Sequence, residues 1–165
     1  MLKSLEPKKQ LWKDWDEKAN KEGLRGTFYT TNQNQYVGEW HQNKKEGKGV
    51  FNWVTKGEIY EGEWKEDKRN GFGNLSVKQP NGTYKKVYSG GWKNDKKHGY
   101  GTYYLDDENF YEGEFYSSNR SGWGRMYYAN GDIYEGEWLN DMRHGKGMLR
   151  LGNLNYSALS NYTVS

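Results

Sequence analysis

The stretch YEGEWKEDKRNGFG at residues 60–73 recurs four more times along the chain, with other residues between a few constant ones. The other copies begin at Tyr36, Tyr88, Tyr111 and Tyr134. In every copy a glycine follows the first tyrosine by two residues and an aromatic ring follows it by four. Two more glycines stand seven and nine residues beyond that ring. Copies that begin 24, 28, 23 and 23 residues apart are typical of a repeat protein.

Each copy predicts a β-hairpin, because its residues alternate with a period of two. In the copy quoted above, Tyr60, Gly62 and Trp64 share one face. Glu61 and Glu63 share the other face. An Asp, Asn or Ser stands in the segment between the two predicted strands, and such side chains favour tight turns because they bond to nearby backbone amides.

Glycines and rings alternate on one face of each predicted hairpin. Glycine weakens a strand unless another group must approach the backbone closely. We therefore expect each ring to lie over neighbouring glycines, so that the rings form one continuous layer. Large rings bury much area per residue, which explains how a chain with 33% hydrophobic but 17% aromatic residues can hold a fold.

The pattern Tyr-x-Gly-x-Trp, followed after six residues by Gly-x-Gly, resembles the MORN repeat over roughly residues 36–155. The resemblance implies an all-β fold in which stacked hairpins form one elongated antiparallel sheet that serves as a scaffold or an interaction surface. It also implies phospholipid binding as an alternative function. A location in cilia, flagella or sperm-cell structures, at the axoneme or the acrosomal vesicle, is implied as well.

The N-terminal segment departs from the repeat. Leu11, Trp12, Trp15 and Ala19 recur at helical spacing within residues 8–21, which predicts a short helix that covers the exposed end of the first hairpin. Residues 23–30 resemble the second strand of a degenerate repeat. The predicted organisation is a capping helix and linker (1–25), a degenerate half repeat (26–35), five repeats (36–59, 60–87, 88–110, 111–133 and 134–155) and a truncated sixth repeat or tail (156–165).

Composition excludes several classes of protein. The absence of cysteine excludes disulfides and thiolate zinc sites. A net charge of +3 is far from the balance of a dedicated nucleic-acid binder, so no nucleic acid is expected as a partner. The sequence has no apolar run typical of a signal peptide or a membrane span, which favours a cytoplasmic protein.

The sequence predicts no metal site, no cofactor and no catalysis. His98 and His144 occupy equivalent positions two repeats apart, about 19 Å in a sheet with about 4.8 Å between strands, and His41 has no equivalent partner. Ligands of one zinc ion must all lie within about 2 Å of it. The glutamates opposite the rings form a row on a flat sheet, without the concave, water-poor site that acid–base chemistry needs. These glutamates are Glu61, Glu63, Glu112, Glu114, Glu135 and Glu137.

Two readings of this glutamate row stay open. It forms ion pairs with cross-strand cations such as Lys48, Arg125 and Lys146, or it is an acidic recognition face.

The aromatic face is the first candidate for partner binding. Much of it must pack on itself, and the remainder can form a groove for an extended or helical segment of another protein. Its residues are Tyr36, Trp40, Tyr60, Trp64, Tyr88, Trp92, Tyr111, Phe115, Tyr134 and Trp138.

The basic hairpin loops are the second candidate. Stacking places them along one edge about 10 Å apart, which suits an extended anionic surface such as a phospholipid membrane. The alternative is that they are solvated turns that keep the sheet soluble. The residues are Lys44, Lys45, Lys68, Arg69, Lys96, Lys97, Arg120 and Arg143.

The C-terminal edge is the third candidate. The last complete repeat ends at residues 145–155, and the following YSALSNYTVS lacks the repeat glycine and tryptophan. We therefore expect the outer edge of the last strand to be unpaired. Unpaired edges are templates for pairing with another chain, so the sequence predicts a homodimer, or docking of a partner's strand, at this edge.

Overall fold

Twelve strands form a single sheet in which every strand pairs with its neighbours in the sequence. The structure, a computed structural model, describes Trp15, residues 17–152 and the backbone of residues 157–162. The strands are β1 (Gly23–Tyr29), β2 (Gln35–His41), β3 (Lys44–Trp53), β4 (Glu58–Lys65), β5 (Lys68–Lys78), β6 (Tyr84–Lys93), β7 (Lys96–Tyr104), β8 (Phe110–Tyr116), β9 (Asn119–Tyr127), β10 (Ile133–Leu139), β11 (Met142–Arg150) and β12 (Ser157–Tyr162).

All neighbouring strands are antiparallel. The predicted all-β fold, one open antiparallel sheet of stacked hairpins, is therefore confirmed. With about 4.8 Å between neighbouring strands, the sheet extends about 53 Å along the stack.

Each repeat makes its hairpin with a two-residue turn. In the second repeat the turn residues are Glu66 and Asp67, with φ angles of 47° and 68°. The four other repeats have the same pair of positive φ angles at the equivalent residues. Turns of this kind match the right-handed twist of the strands that they join, and Asn and Asp tolerate them.

A β-bulge next to the turn sets the register of each hairpin. In the second repeat the pairing shifts between Gly62 and Trp64, and Trp64 then lies opposite Arg69. The bulge requires a left-handed residue, and Gly71 supplies it with a φ of 81°. The residue five positions after each ring is thereby placed on the same face as the ring.

The hydrophobic core lies on one face of the sheet, which we call the ring face. It consists of the ten repeat rings together with Phe51 and Met126, and no residue of this core exposes more than 8% of its surface. The opposite face, which we call the open face, carries the residues that alternate with them, such as Glu61, Phe72 and Trp123. No second layer covers the open face within the described part of the chain.

The described N-terminal residues include part of the predicted helix. Trp15, Glu17 and Lys18 are helical, and the amide of Ala19 donates to the carbonyl of Trp15 at 3.0 Å. Leu11 and Trp12 lie outside the described residues. The side chain of Trp15 is 70% exposed, so most of its ring lies in solvent.

Lys21 covers the first hairpin instead. Its side chain is buried, and its Nζ lies 5.0 Å from the centroid of the Phe28 ring and 4.9 Å from that of Trp40. Its backbone amide donates to Oδ1 of Asn43 at 2.6 Å. The stretch predicted as a second strand forms β1, which pairs with β2.

The C-terminal edge differs from the prediction. Strand β12 pairs with β11 from Gly145, opposite Tyr162, to Arg150, opposite Ser157. The prediction of an unpaired edge at residues 145–155 is therefore wrong. Backbone pairing requires neither the glycine nor the tryptophan that the tail lacks, so these side chains were a poor guide to it.

Candidate interaction surface

The tyrosine of each repeat lies over glycines of its own hairpin, as predicted. A Cβ atom built on Gly62 would lie 2.6 Å from the hydroxyl of Tyr60 and 2.5 Å from Cα of Gly73. The hydroxyl donates to the carbonyl of Glu63 at 2.9 Å. The same bond, at 2.9 to 3.2 Å, occurs in the four other repeats. These positions need glycine because a side chain would occupy the space of the ring.

The rings form a continuous ladder along the ring face. Tyr60 makes edge-to-face contacts with Trp64 of its own repeat at 5.2 Å and with Trp92 of the next at 5.4 Å. The indole of Trp64 donates to the carbonyl of Gly49 in the preceding repeat at 3.1 Å. Edge-to-face pairs contribute about 0.5–1.5 kcal/mol beyond the area they bury. The ladder therefore connects each repeat to its neighbours.

The ten rings predicted to bind partners are core residues. Each exposes 7% of its surface or less, because it is covered by neighbouring rings and by cationic side chains. The interpretation of these rings as a partner-binding groove is corrected accordingly, since little of their surface is accessible. The rings are Tyr36, Trp40, Tyr60, Trp64, Tyr88, Trp92, Tyr111, Phe115, Tyr134 and Trp138.

The basic residue five positions after each ring lies over this ladder. The guanidinium carbon of Arg69 is 4.3 Å from the ring centroid of Trp92, and that of Arg120 is 4.4 Å from Trp138. Such cation–π contacts stabilise by about 0.5–2 kcal/mol. The other residues of this set, with their ring contacts, are Lys45 over Trp64, Lys97 over Phe115 and Arg143 over Tyr134.

These cations also connect neighbouring turns. The amide and the Nζ of Lys45 both donate to Oδ1 of Asp67, at 2.9 and 2.8 Å. The amide of Asp67 donates back to the carbonyl of Lys45 at 3.0 Å. Arg69 and Asp95 make the equivalent bonds. The turn carboxylate thus bonds to the preceding repeat, whereas the sequence predicted a bond within its own turn.

The predicted basic row is consequently divided. Five of its eight members (Lys45, Arg69, Lys97, Arg120 and Arg143) contact the rings. The other three (Lys44, Lys68 and Lys96) are exposed at the turns, and Nζ of Lys44 lies 3.8 Å from a carboxylate oxygen of Glu66.

Lys97 meets a hydroxyl where Lys45, Arg69 and Arg120 meet a carboxylate. Its amide donates to Oγ of Ser118 at 3.2 Å. Its Nζ lies 3.9 Å from the ring centroid of Tyr103 and 5.2 Å from that of Tyr88. Burial lowers the pKa of the Lys97 amine.

On the open face, one glutamate of most repeats bonds to the backbone. Oε1 of Glu63 accepts a hydrogen bond from the amide of Phe72 at 2.9 Å. Oε1 of Glu114 accepts one from the amide of Trp123 at 3.3 Å. Glu39 and Glu137 do the same for the amides of Lys48 and Lys146. This role was not predicted from the sequence, because it depends on the geometry of the bulge.

One of the predicted cross-strand ion pairs is present. Nη2 of Arg125 donates to Oε1 of Glu135 at 3.0 Å, and this hydrogen bond lowers the pKa of the Glu135 carboxyl. For Lys48 and Lys146 the structure gives bonds from the backbone amides to glutamates rather than the predicted ion pairs.

Three large aromatic side chains are exposed on the open face. Phe72 is 56%, Tyr100 66% and Trp123 49% accessible to solvent. Each stands between the two glycines of its Gly-x-Gly pair, and none of the three was predicted from the sequence as a binding residue. The signal was available, because the middle residue of that pair must point away from the ring face.

The three side chains lie on one straight line across the strands. Phe72 pairs with Gly91 on β6, Tyr100 with Glu114 on β8, and Trp123 with Glu137 on β10. We call the line from Phe72 through Tyr100 to Trp123 the aromatic strip.

An apolar groove adjoins the strip at Phe72. It has a volume of about 480 Å³, and its apolar lining consists of Leu24, Val37, Val50 and Phe72. Exposed apolar side chains of the open face are thus spread from β1 to β9, with Glu114 between Tyr100 and Trp123.

The histidines lie apart from one another, as expected from their spacing. Nδ1 of His41 is 3.2 Å from a carboxylate oxygen of Glu22, and the ring of His98 lies 5.5 Å from that of Tyr116. Nowhere in residues 17–152 do three His, Asp or Glu side chains gather as metal ligands would. Among the described residues, no helix has the length and apolar character needed to cross a bilayer.

Comparison with known proteins agrees with this geometry. A model of the MORN repeat matches residues 36–58, 60–76, 88–110, 111–133 and 134–155. The chain is also similar to proteins called MORN repeat-containing protein 3. The Xenopus laevis protein is 53% identical over 87 residues, 52% of this chain and 37% of the relative. The Mus musculus protein is 54% identical over 69 residues (42% and 29%) and the Homo sapiens protein 56% over 45 residues (26% and 19%). The chain therefore matches from about a fifth to just over a third of the length of these relatives.

Proposed function

This chain belongs to the MORN repeat family, and from that premise we propose that it is a non-catalytic scaffold that binds other proteins across its open face. The observation that carries the proposal is the aromatic strip. Isolated exposed apolar residues are ordinary, whereas contiguous apolar surface marks a binding site. Aromatic side chains are also enriched at protein interfaces.

The surroundings of the strip support a protein partner. The groove beside Phe72 extends the apolar surface toward β1, and its remaining lining includes Lys48, Glu61 and Glu63. An apolar centre with a charged rim is the usual anatomy of a protein interface. The backbone of the sheet is rigidly paired on both sides of the strip, so a partner would meet a preformed surface.

The ring face supports binding less well than the open face. Its rings are buried, and five of the eight residues of the predicted lipid-binding row lie over those rings. We therefore propose a protein as the partner, and the experiment below distinguishes it from a phospholipid surface.

Site-specific photocrosslinking in cells tests the proposal. A photoreactive residue at Tyr100 should crosslink to another protein, and the crosslink should decrease strongly when Trp123→Ser is added. The matched control is Tyr29, which is 63% exposed but stands outside the strip, at the end of β1. Equal crosslinking from both positions, or a crosslink that Trp123→Ser leaves unchanged, would contradict the proposal. Binding of the purified chain to anionic vesicles, lost with Lys44→Ala and Lys68→Ala but kept with Trp123→Ser, would favour the lipid function instead.

We also propose the location that the family resemblance implies: the cytoplasm of ciliated or sperm cells, at the axoneme or the acrosomal vesicle. Imaging of the tagged chain in such cells tests this, and a uniform distribution without enrichment at either structure would contradict it.

A further inference from the structure

The third repeat lacks a carboxylate that the other four have. Gly91 stands at the position of Glu39, Glu63, Glu114 and Glu137. The residue is uncharged, and Ser89, which precedes it on the open face of β6, is uncharged too. The third repeat therefore interrupts the glutamate row of the open face.

In the other repeats this carboxylate fills a defined position. It accepts a hydrogen bond from the backbone amide of the residue between the two glycines, and it packs against the first of those glycines. Built Cβ atoms on Gly47 and Gly71 would each lie 2.7 Å from the carboxylate carbon of the glutamate. In the third repeat, a Cβ atom built on Gly99 meets no atom within 4 Å. The space that the glutamate carboxylate fills over the equivalent glycine of the other four repeats is therefore open over Gly99.

The chain cannot readily fill this space by itself. A Cβ atom on Gly91 would collide with the backbone carbonyl oxygen of His98, so a glutamate at this position would require a shift of the backbone. A carboxylate can still reach the space over Gly99 from the solvent side. The site therefore suits a group that another molecule supplies.

The surroundings combine basic and apolar groups, and the one carboxylate opposite Tyr100, that of Glu114, is bonded to the amide of Trp123. A cavity of about 260 Å³ adjoins this site at His98, and its lining consists of Lys93, Asn94, Lys96, His98, Tyr116 and Ser117. His98 directly precedes Gly99 and shares the open face with Tyr100. The rings of Phe72 and Tyr100 stand on either side of Gly91, two strands or about 9.6 Å apart.

We propose that the third repeat binds the carboxylate of a Glu or Asp side chain from a partner protein, with apolar residues on both sides of it. This inference rests on the proposed function and adds the chemistry of the contact. The Tyr100 amide donates to the carboxylate, as the amides of Phe72 and Trp123 do to the chain's own glutamates. Lys93 and Lys96 supply the complementary charge, and the flanking apolar residues of the partner contact Phe72 and Tyr100.

Amide NMR spectra of the isotope-labelled full chain test the inference, with the blocked tripeptides Leu-Glu-Leu and Leu-Gln-Leu as probes. The glutamate peptide should shift the amide of Tyr100 in a saturable way. The glutamine peptide should bind about fivefold or more weakly, because a hydrogen bond to a charged acceptor is stronger than one to a neutral amide. The amides of Phe72 and Trp123 serve as internal controls, since Glu63 and Glu114 already occupy them.

A second variant makes the experiment decisive. Glu114→Gly should create another copy of the site, so that the Trp123 amide also responds to the glutamate peptide. Lys96→Ala should weaken binding at Tyr100 and leave the new site at Trp123 unaffected.

Equal affinity for the two peptides would overturn the inference, and so would a lack of response at Tyr100. Either result would leave the proposed function intact if crosslinks still form at Tyr100. Loss of those crosslinks together with a charge-selective response at Tyr100 would instead contradict the proposed function and support the site alone.

Discussion

Lys45 and Asp67 are 22 residues apart, yet one oxygen of Asp67 accepts hydrogen bonds from both the amide and the Nζ of Lys45. The pair joins the turn of one repeat to the strand of the preceding one. Arg120 and Asp141 make the same double contact, at 2.9 and 3.1 Å. The repeats are thus connected at their turns, in addition to the ladder of rings.

Ser118→Asp should stabilise the protein. The junction between the third and fourth repeats has the hydroxyl of Ser118, whereas the other three junctions between repeats have a carboxylate. An aspartate there would accept a hydrogen bond from the backbone amide of Lys97 and form an ion pair with the Lys97 ammonium group. A partly exposed ion pair contributes about 0.2–1 kcal/mol. The free energy of unfolding, measured with denaturant, should increase by this amount.

The control for this prediction is Ser117→Asp, which adds the same charge one residue earlier in the same turn. It should bring no comparable gain, and the gain from Ser118→Asp should decrease in high salt. Asp141→Ser should destabilise by a similar amount, since it removes the carboxylate that Arg120 contacts. An increase in stability that is equal for both serine variants would show that net charge, not the junction, is responsible.

Gly113→Val should destabilise the protein strongly. A Cβ atom at this position would lie 2.5 Å from Cα of Gly124 and 2.7 Å from the carbonyl oxygen of Trp123, in addition to colliding with the hydroxyl of Tyr111. Backbone atoms cannot move away as a flexible side chain can. We expect a loss of at least about 1–3 kcal/mol, the usual cost of overpacking, as a lower melting temperature.

Lys96→Ala is the comparison for that variant. Lys96 is exposed beside a turn, so its loss should change stability by no more than about 0.5 kcal/mol. If the two variants melt at the same temperature, the repeat glycines are not needed for the close approach of ring and backbone, and the prediction is wrong.

The hairpins could be predicted because two independent signals agree. The alternation of Tyr60, Gly62 and Trp64 gives a strand with one apolar face, and Asp67 marks the turn. The position of Arg69 over the rings was also accessible in principle. A two-residue turn places Arg69, five positions after Trp64, directly opposite that ring. Treating all basic residues near the turns as one row conceals this difference between Arg69 and its neighbour Lys68.

Other features could not be derived from one repeat taken alone. The bond from Glu63 to the amide of Phe72 depends on a bulge whose geometry the residue pattern does not give. The burial of the rings depends on side chains of the neighbouring repeat, which lie above them in the stack. The pairing of β12 depends on backbone atoms alone, so the missing tryptophan and glycine say little about it.

Small-angle scattering should show an elongated particle. The sheet extends about 53 Å along the stack, whereas a compact domain of this length would have a radius of gyration near 15 Å and a diameter of about 40 Å. We expect a maximum dimension above about 53 Å at all protein concentrations. A particle about 40 Å across would contradict the open sheet.

High pH should unfold the protein through its buried tyrosines. Removal from water raises the pKa of Tyr36, Tyr60, Tyr88 and Tyr111 well above the ordinary value of 10.0. A group whose pKa is higher in the folded state contributes stability that is complete below the unfolded pKa and is lost as pH increases above it. Stability should therefore be unaffected by these groups below about pH 10 and decrease above it.

The expected loss is steep because the four tyrosines act together. Each contributes about 1.4 kcal/mol per pH unit once the unfolded side chain is ionised, which makes about 5.5 kcal/mol per unit for four. Since small domains have about 5–15 kcal/mol in total, the sheet should unfold within about one to three units above pH 10. Circular dichroism and tyrosinate absorbance should then change together.

Tyr60→Phe and Tyr100→Phe separate this mechanism from a general effect of alkali. Replacing Tyr60 removes one of these four titrating groups, so the free energy of unfolding should decrease about one quarter less per pH unit above pH 10. The lost hydrogen bond to the carbonyl of Glu63 lowers stability separately, at neutral pH. Tyr100 is exposed, and its replacement should leave the dependence unchanged. Below about pH 10 these tyrosines are protonated even in the unfolded chain. If the sheet signal is lost there, ionisation of tyrosine is not the cause.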